Sequence, residues 1–284
     1  MSDPTARTAR PQRPQRPQTV LTVVRTEWVS SHMVRVFAGG AGFDGFATNA
    51  FTDKYIKIFF VDPALRLTPP YDVAALRESL PQEQWPTVRT YTVRSVDPLA
   101  GEIAIDFVVH GDEGVAGPWA ANAKPGDTVV FGGPGGAYSP DPTADWHVFA
   151  GDESALPAIA SALEALHPNS LGIAHIEVGT AEDAVRLTVP DNFTVNWLVR
   201  DDSADVAVQT GALAAAVEAG PWPNGARVQA FMHGEREAMK SVREVLKNRG
   251  IPRDQFSLSG YWARGRSEDA FQAEKREPIG MIAD

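Results

Sequence analysis

The segment Arg89-Thr90-Tyr91-Thr92-Val93-Arg94 combines side chains that could hold a flat, phosphorylated ligand. Its alternating pattern predicts a β-strand, on which Arg89 and Tyr91 point to one face, about 7 Å apart along the chain. A guanidinium can grip a diphosphate with two hydrogen bonds, a tyrosine ring can stack on a heterocycle, and Thr92 adds a hydroxyl. An edge strand whose threonines and arginines face water is the alternative interpretation.

A glycine-rich turn follows a second predicted strand, which ends near His110. It contains Gly111, Gly114 and Gly117, and a short helical turn begins near Pro118. Free backbone N–H groups at a helix start bind phosphate, so this turn is a candidate phosphate site. A plain turn between two strands is the alternative.

The stretch Gly151-Asp152-Glu153-Ser154-Ala155-Leu156-Pro157 lies between a predicted strand and a helix, where a nicotinamide dinucleotide would place its phosphates. It lacks the G-x-G-x-x-G spacing, and its two carboxylates would repel phosphate unless they turn away. The alternative is a helix entry, with Asp152 or Ser154 as the cap and Pro157 in the first turn. Arg200 follows another predicted strand and is a candidate for the ribose or its 2′-phosphate, with an exposed surface arginine as the alternative.

Several basic residues are candidates for a positive pocket that would receive an anion. They are Lys54, Lys57, Arg264, Arg266 and Lys275. Lys57 is favoured, because it shares a strand face with Tyr55 and Phe59 and a lysine among apolar strand residues needs a reason. A solvated surface position is the alternative for each. The six histidines show no metal-binding spacing, so we expect no built-in metal site.

The elements that must position these residues change character along the chain. The first half has short runs of period two with little helix between them, which predicts a small closed barrel. The predicted strands are Thr19–Arg25, Met33–Phe37, Tyr55–Val61, Val88–Val96, Glu102–His110 and Asp127–Gly132. A long, proline-containing loop, Leu65–Gln84, separates two of these strands and contains one predicted helix near Val73–Ser79.

Beyond Asp145, strands alternate with helices, which predicts a parallel sheet covered on both faces. One predicted helix is capped by Thr210 and ended by Gly220, and another carries Met239, Val242 and Leu246 on one face. The glycines at 132–136 are interpreted as the turn between the two domains. A barrel beside a parallel sheet would let two ligands meet at the junction, as a redox enzyme requires.

Composition narrows the class of protein. The chain has 284 residues with a net charge of −10 and no cysteine, which excludes disulfides, thiolate metal sites and a cysteine nucleophile. Residues 1–18 carry four arginines against one aspartate, a net of +3, so the remainder carries −13 and makes nucleic acid a poor partner. The Arg-Pro-Gln repeats of this tail predict disorder. No apolar run is long enough to span a membrane, and we expect a cytoplasmic protein.

Several short motifs, in order, resemble the siderophore-interacting proteins, ferric-siderophore reductases of the ferredoxin–NADP reductase type. The two strands above carry part of the resemblance, which runs from about Thr19 to Glu277. The other matching motifs are Trp119-Ala120, Gly151 to Pro157, His233-Gly234-Glu235, Gly260-Tyr261-Trp262-Ala263-Arg264-Gly265-Arg266 and Glu268-Asp269-Ala270-Phe271.

The resemblance implies a barrel that holds FAD, with Arg89 at the diphosphate, Tyr91 on the isoalloxazine and Thr92 near its reactive nitrogen. The other implied FAD residues are Thr90, Val108, His110, Gly114, Val115, Ala116, Gly117, Trp119 and Ala120. Gly117 stands where a serine is expected, and the missing hydroxyl bond would weaken FAD binding about tenfold.

The resemblance also implies an NAD(P)H site and a basic site for an anionic ferric siderophore. The implied NAD(P)H residues are Gly151, Asp152, Glu153, Ser154, Arg200, Gly234 and Glu235, and the implied substrate residues are Lys57, Arg264, Arg266 and Lys275. The expected domains are an FAD barrel at 19–140, an NAD(P)H domain at 141–260 and a segment at 261–284 that covers the flavin.

The function expected from the resemblance is electron transfer from NADPH or NADH through FAD to a ferric siderophore, by a monomer. One alternative is another flavin reductase of this architecture, using ferredoxin, free flavin or a quinone. The other is a siderophore- or nucleotide-binding module without turnover, which Gly117 and the Asp152-Glu153 pair keep open.

Overall fold

The computed structural model describes residues 17–111, 114–275 and 277–282. Residues 1–16 of the predicted tail lie outside the described residues. The prediction that this tail extends to residue 18 is wrong, because Gln18 already begins the first strand. Its backbone pairs with Gly132, and its side chain exchanges two hydrogen bonds of 2.7 Å with the backbone of Tyr71.

The first half of the chain forms a closed, six-stranded antiparallel barrel, as predicted. Its strands, in the spatial order β1-β2-β5-β4-β3-β6, alternate apolar residues into the core. Ile56, Ile58 and Phe60 point inward, while Tyr55 and Lys57 point outward. The strands are β1 (Gln18–Ser30), β2 (Met33–Gly39), β3 (Tyr55–Phe60), β4 (Thr87–Asp97), β5 (Glu102–Val108) and β6 (Thr128–Gly135).

Two short helices accompany the barrel, α1 (Val73–Ser79) as predicted and α2 (Ala116–Asn122) after the glycine turn. The prediction that residues 132–136 form only an interdomain turn is wrong, because β6 continues through Gly135. These glycines let neighbouring rings lie against the strand. A Cβ on Gly135 would stand 2.5 Å from the Tyr55 ring.

The second half of the chain is a five-stranded parallel sheet in the order β11-β10-β7-β8-β9. Apolar clusters pack on both of its faces, as predicted, and the strand order reverses between β7 and β10. The strands are β7 (Trp146–Gly151), β8 (Gly172–Val178), β9 (Phe193–Val199), β10 (Val228–Glu235) and β11 (Phe256–Trp262). The helices are α3 (Leu156–Glu164), α4 (Val206–Ala219), α5 (Arg236–Asn248) and α6 (Glu268–Glu274).

Two predicted helix caps are wrong. Helix α4 begins at Val206, four residues before Thr210, because the Gln209 side chain donates to the carbonyls of Asp201 and Ala204 and supports an earlier turn. Helix α3 has Ala155 at its N-cap and no side-chain cap. Gly220 ends α4 as predicted. No helix in the described ranges is both long and apolar enough to cross a membrane.

Polar contacts fasten the barrel to the sheet domain at two places. Arg94 on β4 pairs with Glu164 on α3, with Nη1 to Oε2 at 2.8 Å, and the Ser161 hydroxyl donates to the Arg94 carbonyl. The Asp183 carboxylate accepts hydrogen bonds from Ser30 Oγ at 2.8 Å and His32 N at 3.1 Å. Its side chain is 3% exposed, so the second contact is shielded from water.

Asp183→Asn should destabilise the protein in a pH-dependent way. Burial would raise the pKa of Asp183, but hydrogen bonds from His32, Ser30 and Thr180 outweigh it and lower the pKa to about 2. Because the folded-state pKa is depressed below the ordinary value, the stabilisation is present above about pH 4 and is lost as pH falls toward 2. Urea unfolding should show wild type about 2 kcal/mol more stable at pH 7, with the gap narrowing below pH 4. A gap that does not change with pH would contradict this.

Candidate functional site

A cavity of about 680 Å³ opens between the barrel, the carboxyl edge of the sheet and α6. Residues from all three line it, so the sequence-distant candidates meet in one place. The lining residues are Tyr55, Lys57, Thr90, Tyr91, Thr92, Asp106, Val108, His110, Asp152, Glu153, Ser154, Pro157, Arg200, Ser259, Tyr261, Trp262, Glu268, Gln272 and Lys275.

The barrel side of the cavity is set by the register of β3 and β4. Tyr55 lies opposite Thr92 and Lys57 lies opposite Thr90, which places these four side chains on one outward face. The ring of Tyr91 packs against Phe107, with ring centroids 4.3 Å apart, and borders the cavity beside them. Burial raises the pKa of the Tyr91 phenol, so the ring is neutral at physiological pH. The Thr92 hydroxyl makes no hydrogen bond to the described part of the chain.

Arg89 lies two residues before Tyr91 and does not line the cavity. Its Nη1 donates to the Val88 carbonyl at 2.9 Å and lies 3.5 Å from both carboxylate oxygens of Asp269 on α6. The register pairs Arg89 with Ile58, which confirms that it shares a face with Tyr91. Its diphosphate role stays a prediction, with Asp269 as the competing partner.

Helix α2 covers the barrel beside the cavity, and neither its residues nor Gly111, Gly114 and Val115 line the cavity. Ala116 and Ala120 are buried, and Trp119 packs against Phe60 and Phe107 with ring centroids 5.6 Å away. Gly114 has a φ of +78°, which a side chain would strain. A Cβ on Gly117 would lie 3.2 Å from the Val108 carbonyl oxygen, so a serine there needs a small backbone shift.

On the sheet side, Asp152 is a buried hydrogen-bond acceptor. Its Oδ1 accepts from the backbone and the hydroxyl of Ser154, and its Oδ2 accepts from Glu235 N and Trp262 Nε1, both at 2.8 Å. Burial raises its pKa, and the bonds from Ser154 and Trp262 oppose that shift. Asp152 thus joins the ends of β7, β10 and β11, and its charge is engaged within the protein.

Arg200 is half-buried and ion-paired, so the alternative of an exposed surface arginine is wrong. Its Nη2 donates to Glu153 Oε2 at 2.8 Å and its Nε donates to Glu177 Oε1 at 3.0 Å. The second oxygen of Glu153 accepts from Gly179 N at 2.6 Å. The positions of the three side chains are therefore mutually determined, and Glu153 and Arg200 both border the cavity.

The three other predicted NAD(P)H residues, Gly151, Gly234 and Glu235, lie at the ends of β7 and β10, where they have a structural role. A Cβ on Gly151 would stand 2.5 Å from the His233 carbonyl oxygen, and one on Gly234 would stand 2.7 Å from Asp152 Oδ2. Glu235 caps α5 by accepting from Glu237 N and Ala238 N, and it also accepts from Arg264 N. None of these three residues borders the cavity.

Of the predicted substrate residues, Lys57 and Lys275 border the cavity, whereas Arg264 and Arg266 do not. Burial lowers the pKa of Lys275; the Glu268 carboxylate opposes that shift, and the Lys57 ammonium adds to it. The two lysines are thus close enough to repel each other. Arg266 pairs instead with Glu274, with Nε to Oε1 at 2.6 Å. Lys54, whose pKa burial lowers, does not border the cavity either.

Sequence reasoning missed several cavity residues. Glu268 and Gln272 lie on the same face of α6 as Lys275, and this spacing of four and then three residues is a helical signal that could have found them. Asp106, which lies within the predicted strand Glu102–His110, was given no role. Its buried carboxylate holds Arg35 by two hydrogen bonds of 2.6 and 2.8 Å, a contact across β2 and β5 that no local pattern reveals.

The residues on the barrel side fit a flavin cofactor. Tyr91, Thr92 and His110 line the cavity with an aromatic ring, an imidazole and a threonine hydroxyl that has no partner among the described residues. The Arg89 guanidinium lies outside this lining, on the strand face that Arg89 shares with Tyr91. These groups supply stacking, hydrogen bonds and positive charge. Among the described residues, no group of three His, Asp or Glu side chains could hold a metal ion.

Two family models together match most of the chain. Residues 22–138 match the siderophore-interacting FAD-binding domain, and residues 144–265 match the siderophore-interacting protein model.

Curated relatives match over much of their length. An uncharacterized protein of Mycobacterium tuberculosis is 48% identical over 266 residues, covering 90% of this chain and 93% of that protein. Ferric vibriobactin reductase ViuB of Vibrio cholerae is 36% identical over 264 residues, with coverage of 90% and 93%. The NADPH-dependent ferric-chelate reductase of Escherichia coli is 34% identical over 191 residues, covering 65% of this chain and 72% of that protein.

Solved structures agree. A siderophore utilization protein from T. fusca superposes with a TM-score of 0.76 at 34% identity, covering 88% of this chain and 94% of that one. The ferredoxin reductase in carbazole 1,9a-dioxygenase shares the fold alone, with a TM-score of 0.61 at 17% identity, covering 88% of this chain and 70% of that one.

The barrel and the parallel sheet form the ferredoxin reductase-like fold, and the chain is an FAD-dependent NAD(P)H oxidoreductase. It belongs to the siderophore-interacting protein family, because both family models match it and a ferric vibriobactin reductase is 36% identical over 90% of the chain.

Tyr91→Ala should reduce FAD binding about fivefold, since stacking on an aromatic ring contributes on the order of 1 kcal/mol. The flavin content of the purified protein and its FAD dissociation constant measure this. Tyr91→Phe is the matched control, because it keeps the ring that packs on Phe107 and should retain FAD. Wild-type FAD affinity in the alanine variant would exclude a stacking role for Tyr91.

Proposed function

We propose that this protein reduces a ferric siderophore with electrons from NAD(P)H. The observation that carries the proposal is that a single cavity brings together Tyr91 and Thr92 of the barrel, the strand ends of the sheet, and the ammonium groups of Lys57 and Lys275. The reductase names of the Vibrio cholerae and Escherichia coli relatives support it. We further propose that the protein acts as a cytoplasmic monomer.

FAD, when bound, accepts electrons from NAD(P)H as a hydride and delivers them singly to chelated Fe(III). Tyr91 and Thr92 would orient its ring, one by stacking and the other through its free hydroxyl. On the other side, Asp152 keeps three strand ends together, so the surface that faces the donor stays rigid. No side chain has to act as a nucleophile or a general base.

Lys57 and Lys275 would attract the anionic chelate and hold it at the cavity without ligating iron. An anion between the two lysines would relieve their mutual repulsion, which favours binding of a negatively charged acceptor. Glu268 offsets part of this positive charge. The chelator supplies all of the iron ligands, and Fe(II) leaves it because hard oxygen ligands hold Fe(II) weakly.

A visible spectrum of the FAD-loaded protein tests the proposed function. Under anaerobic conditions, the flavin bands should bleach with NADH or NADPH and return when a ferric siderophore is added. Bands that neither nucleotide bleaches would contradict the proposed donor. Bands that bleach but do not return would contradict the proposed acceptor. A protein that FAD cannot reconstitute would favour a binding module without turnover.

Lys57→Ala should raise the KM for a ferric siderophore about fivefold while leaving reduction of an uncharged quinone unchanged, because only the anionic acceptor needs the ammonium group. Steady-state rates with both acceptors measure this. The control is Lys247→Ala, which removes the same charge from an exposed position on α5. Equal loss with both acceptors would show that Lys57 serves the flavin or the fold.

A further inference from the structure

Three charged side chains lie together at the carboxyl ends of adjacent strands. Glu153 follows β7, Glu177 is near the end of β8, and Arg200 directly follows β9. Their side chains are 9%, 15% and 15% exposed. Two carboxylates and one guanidinium give this cluster, the Glu153–Arg200–Glu177 triad, a net charge of −1.

The triad occupies the position where doubly wound sheets recognise the adenosine ribose of a dinucleotide. In such sheets, an acidic residue at the end of the second strand accepts a hydrogen bond from the ribose 2′-hydroxyl, whereas an arginine accommodates a 2′-phosphate. Here β7, α3 and β8 form that first strand–helix–strand unit, beside the point where strand order reverses. Glu177 lies 26 positions after Gly151, at the end of the second strand.

Arg200, the cation placed to bind a 2′-phosphate, is already paired with Glu153 and Glu177. Its Nε and Nη2 donate to the two carboxylates at 3.0 and 2.8 Å, which leaves no net positive charge at the triad. Burial raises the pKa of Glu177; Arg200 opposes this, and the charges of Asp152 and Glu153 add to the rise. Negative charge is therefore already in excess, and a phosphate dianion would increase the repulsion.

We propose that the Glu153–Arg200–Glu177 triad makes this protein select NADH over NADPH. The inference rests on the proposed function and names the donor that the function leaves open. Glu153, which borders the cavity, would accept a ribose hydroxyl, and Arg200 would hold both carboxylates in place, with Glu177 behind it. The triad thus acts by charge, as a specificity determinant at the donor side of the cavity.

Two ligands that differ by a single phosphate test the proposal. Isothermal titration of the FAD-loaded protein with ADP-ribose and with 2′-phospho-ADP-ribose should show ADP-ribose binding about tenfold more tightly, the effect of one charge-assisted contact. Equal affinities, tighter binding of the 2′-phosphate form, or no binding of either ligand would overturn it.

The variant Glu177→Gln tests whether the triad causes the preference for ADP-ribose. It removes one negative charge behind Arg200 and keeps a hydrogen-bond acceptor. The preference for ADP-ribose should shrink about fivefold or more. Glu218→Gln removes the same charge from the exposed pair with Arg249 and should leave the preference unchanged. An unchanged preference in Glu177→Gln would remove Glu177 from the mechanism. If that variant does not fold, Glu153→Gln answers the same question.

These titrations contain no ferric chelate and no turnover. A protein that prefers ADP-ribose but cannot reduce a ferric siderophore would retain this inference and lose the proposed function. A protein that reduces the chelate equally well with both nucleotides, and binds both ADP-ribose forms equally, would do the reverse.

Discussion

The buried carboxylate of Asp152 holds together the sheet side of the cavity. It accepts hydrogen bonds from Ser154, which follows β7, from Glu235 at the end of β10 and from Trp262 at the end of β11. A buried carboxylate is stable only when its oxygens are bonded, so losing one donor would strain the other contacts. Gly234 must lack a side chain for the same reason, because a Cβ would meet the carboxylate. The acidic residue Asp152 after β7 therefore has a structural role, because its carboxylate joins the ends of neighbouring strands.

The barrel side depends on strand register instead. Pairing Tyr55 with Thr92 and Lys57 with Thr90 places an aromatic ring, a hydroxyl and an ammonium on one outward face. Helix α6 completes the cavity, and it is held by Phe271, which is 1% exposed, and by Glu274, which bridges Arg236 and Arg266. Each side therefore has its own structural support, and the cavity lies where the supports meet.

Periodicity was enough to predict the barrel, the parallel sheet and helix α1 because apolar alternation and turn residues are local signals. The face shared by Arg89 and Tyr91 followed from the same alternation. The predictions that were wrong concern residues whose hydrogen-bond partners are distant in the sequence or outside the predicted element. Thr210 was a reasonable cap by type, but Gln209 reaches back to Asp201 and starts α4 earlier. The interpretation of Arg200 as an exposed surface arginine, the alternative to a ribose or 2′-phosphate contact, also failed, since its partners Glu153 and Glu177 are 47 and 23 positions away. Residue type was enough to identify candidate site residues. Whether the charge of a candidate such as Arg200 is paired depends on partners that are distant in the sequence.

The shared cavity also has a kinetic consequence. At about 680 Å³ it falls within the range of a pocket for one ligand of moderate size, and its lining mixes donor-side and acceptor-side residues. A dinucleotide and a bulky chelate would overlap there, and the contacts of Arg94 and Asp183 keep the two domains from separating to make room. Under the proposed function, the two substrates would bind in turn, each leaving before the other arrives. Such alternation would give parallel lines in double-reciprocal plots, and an excess of either substrate would inhibit the reaction.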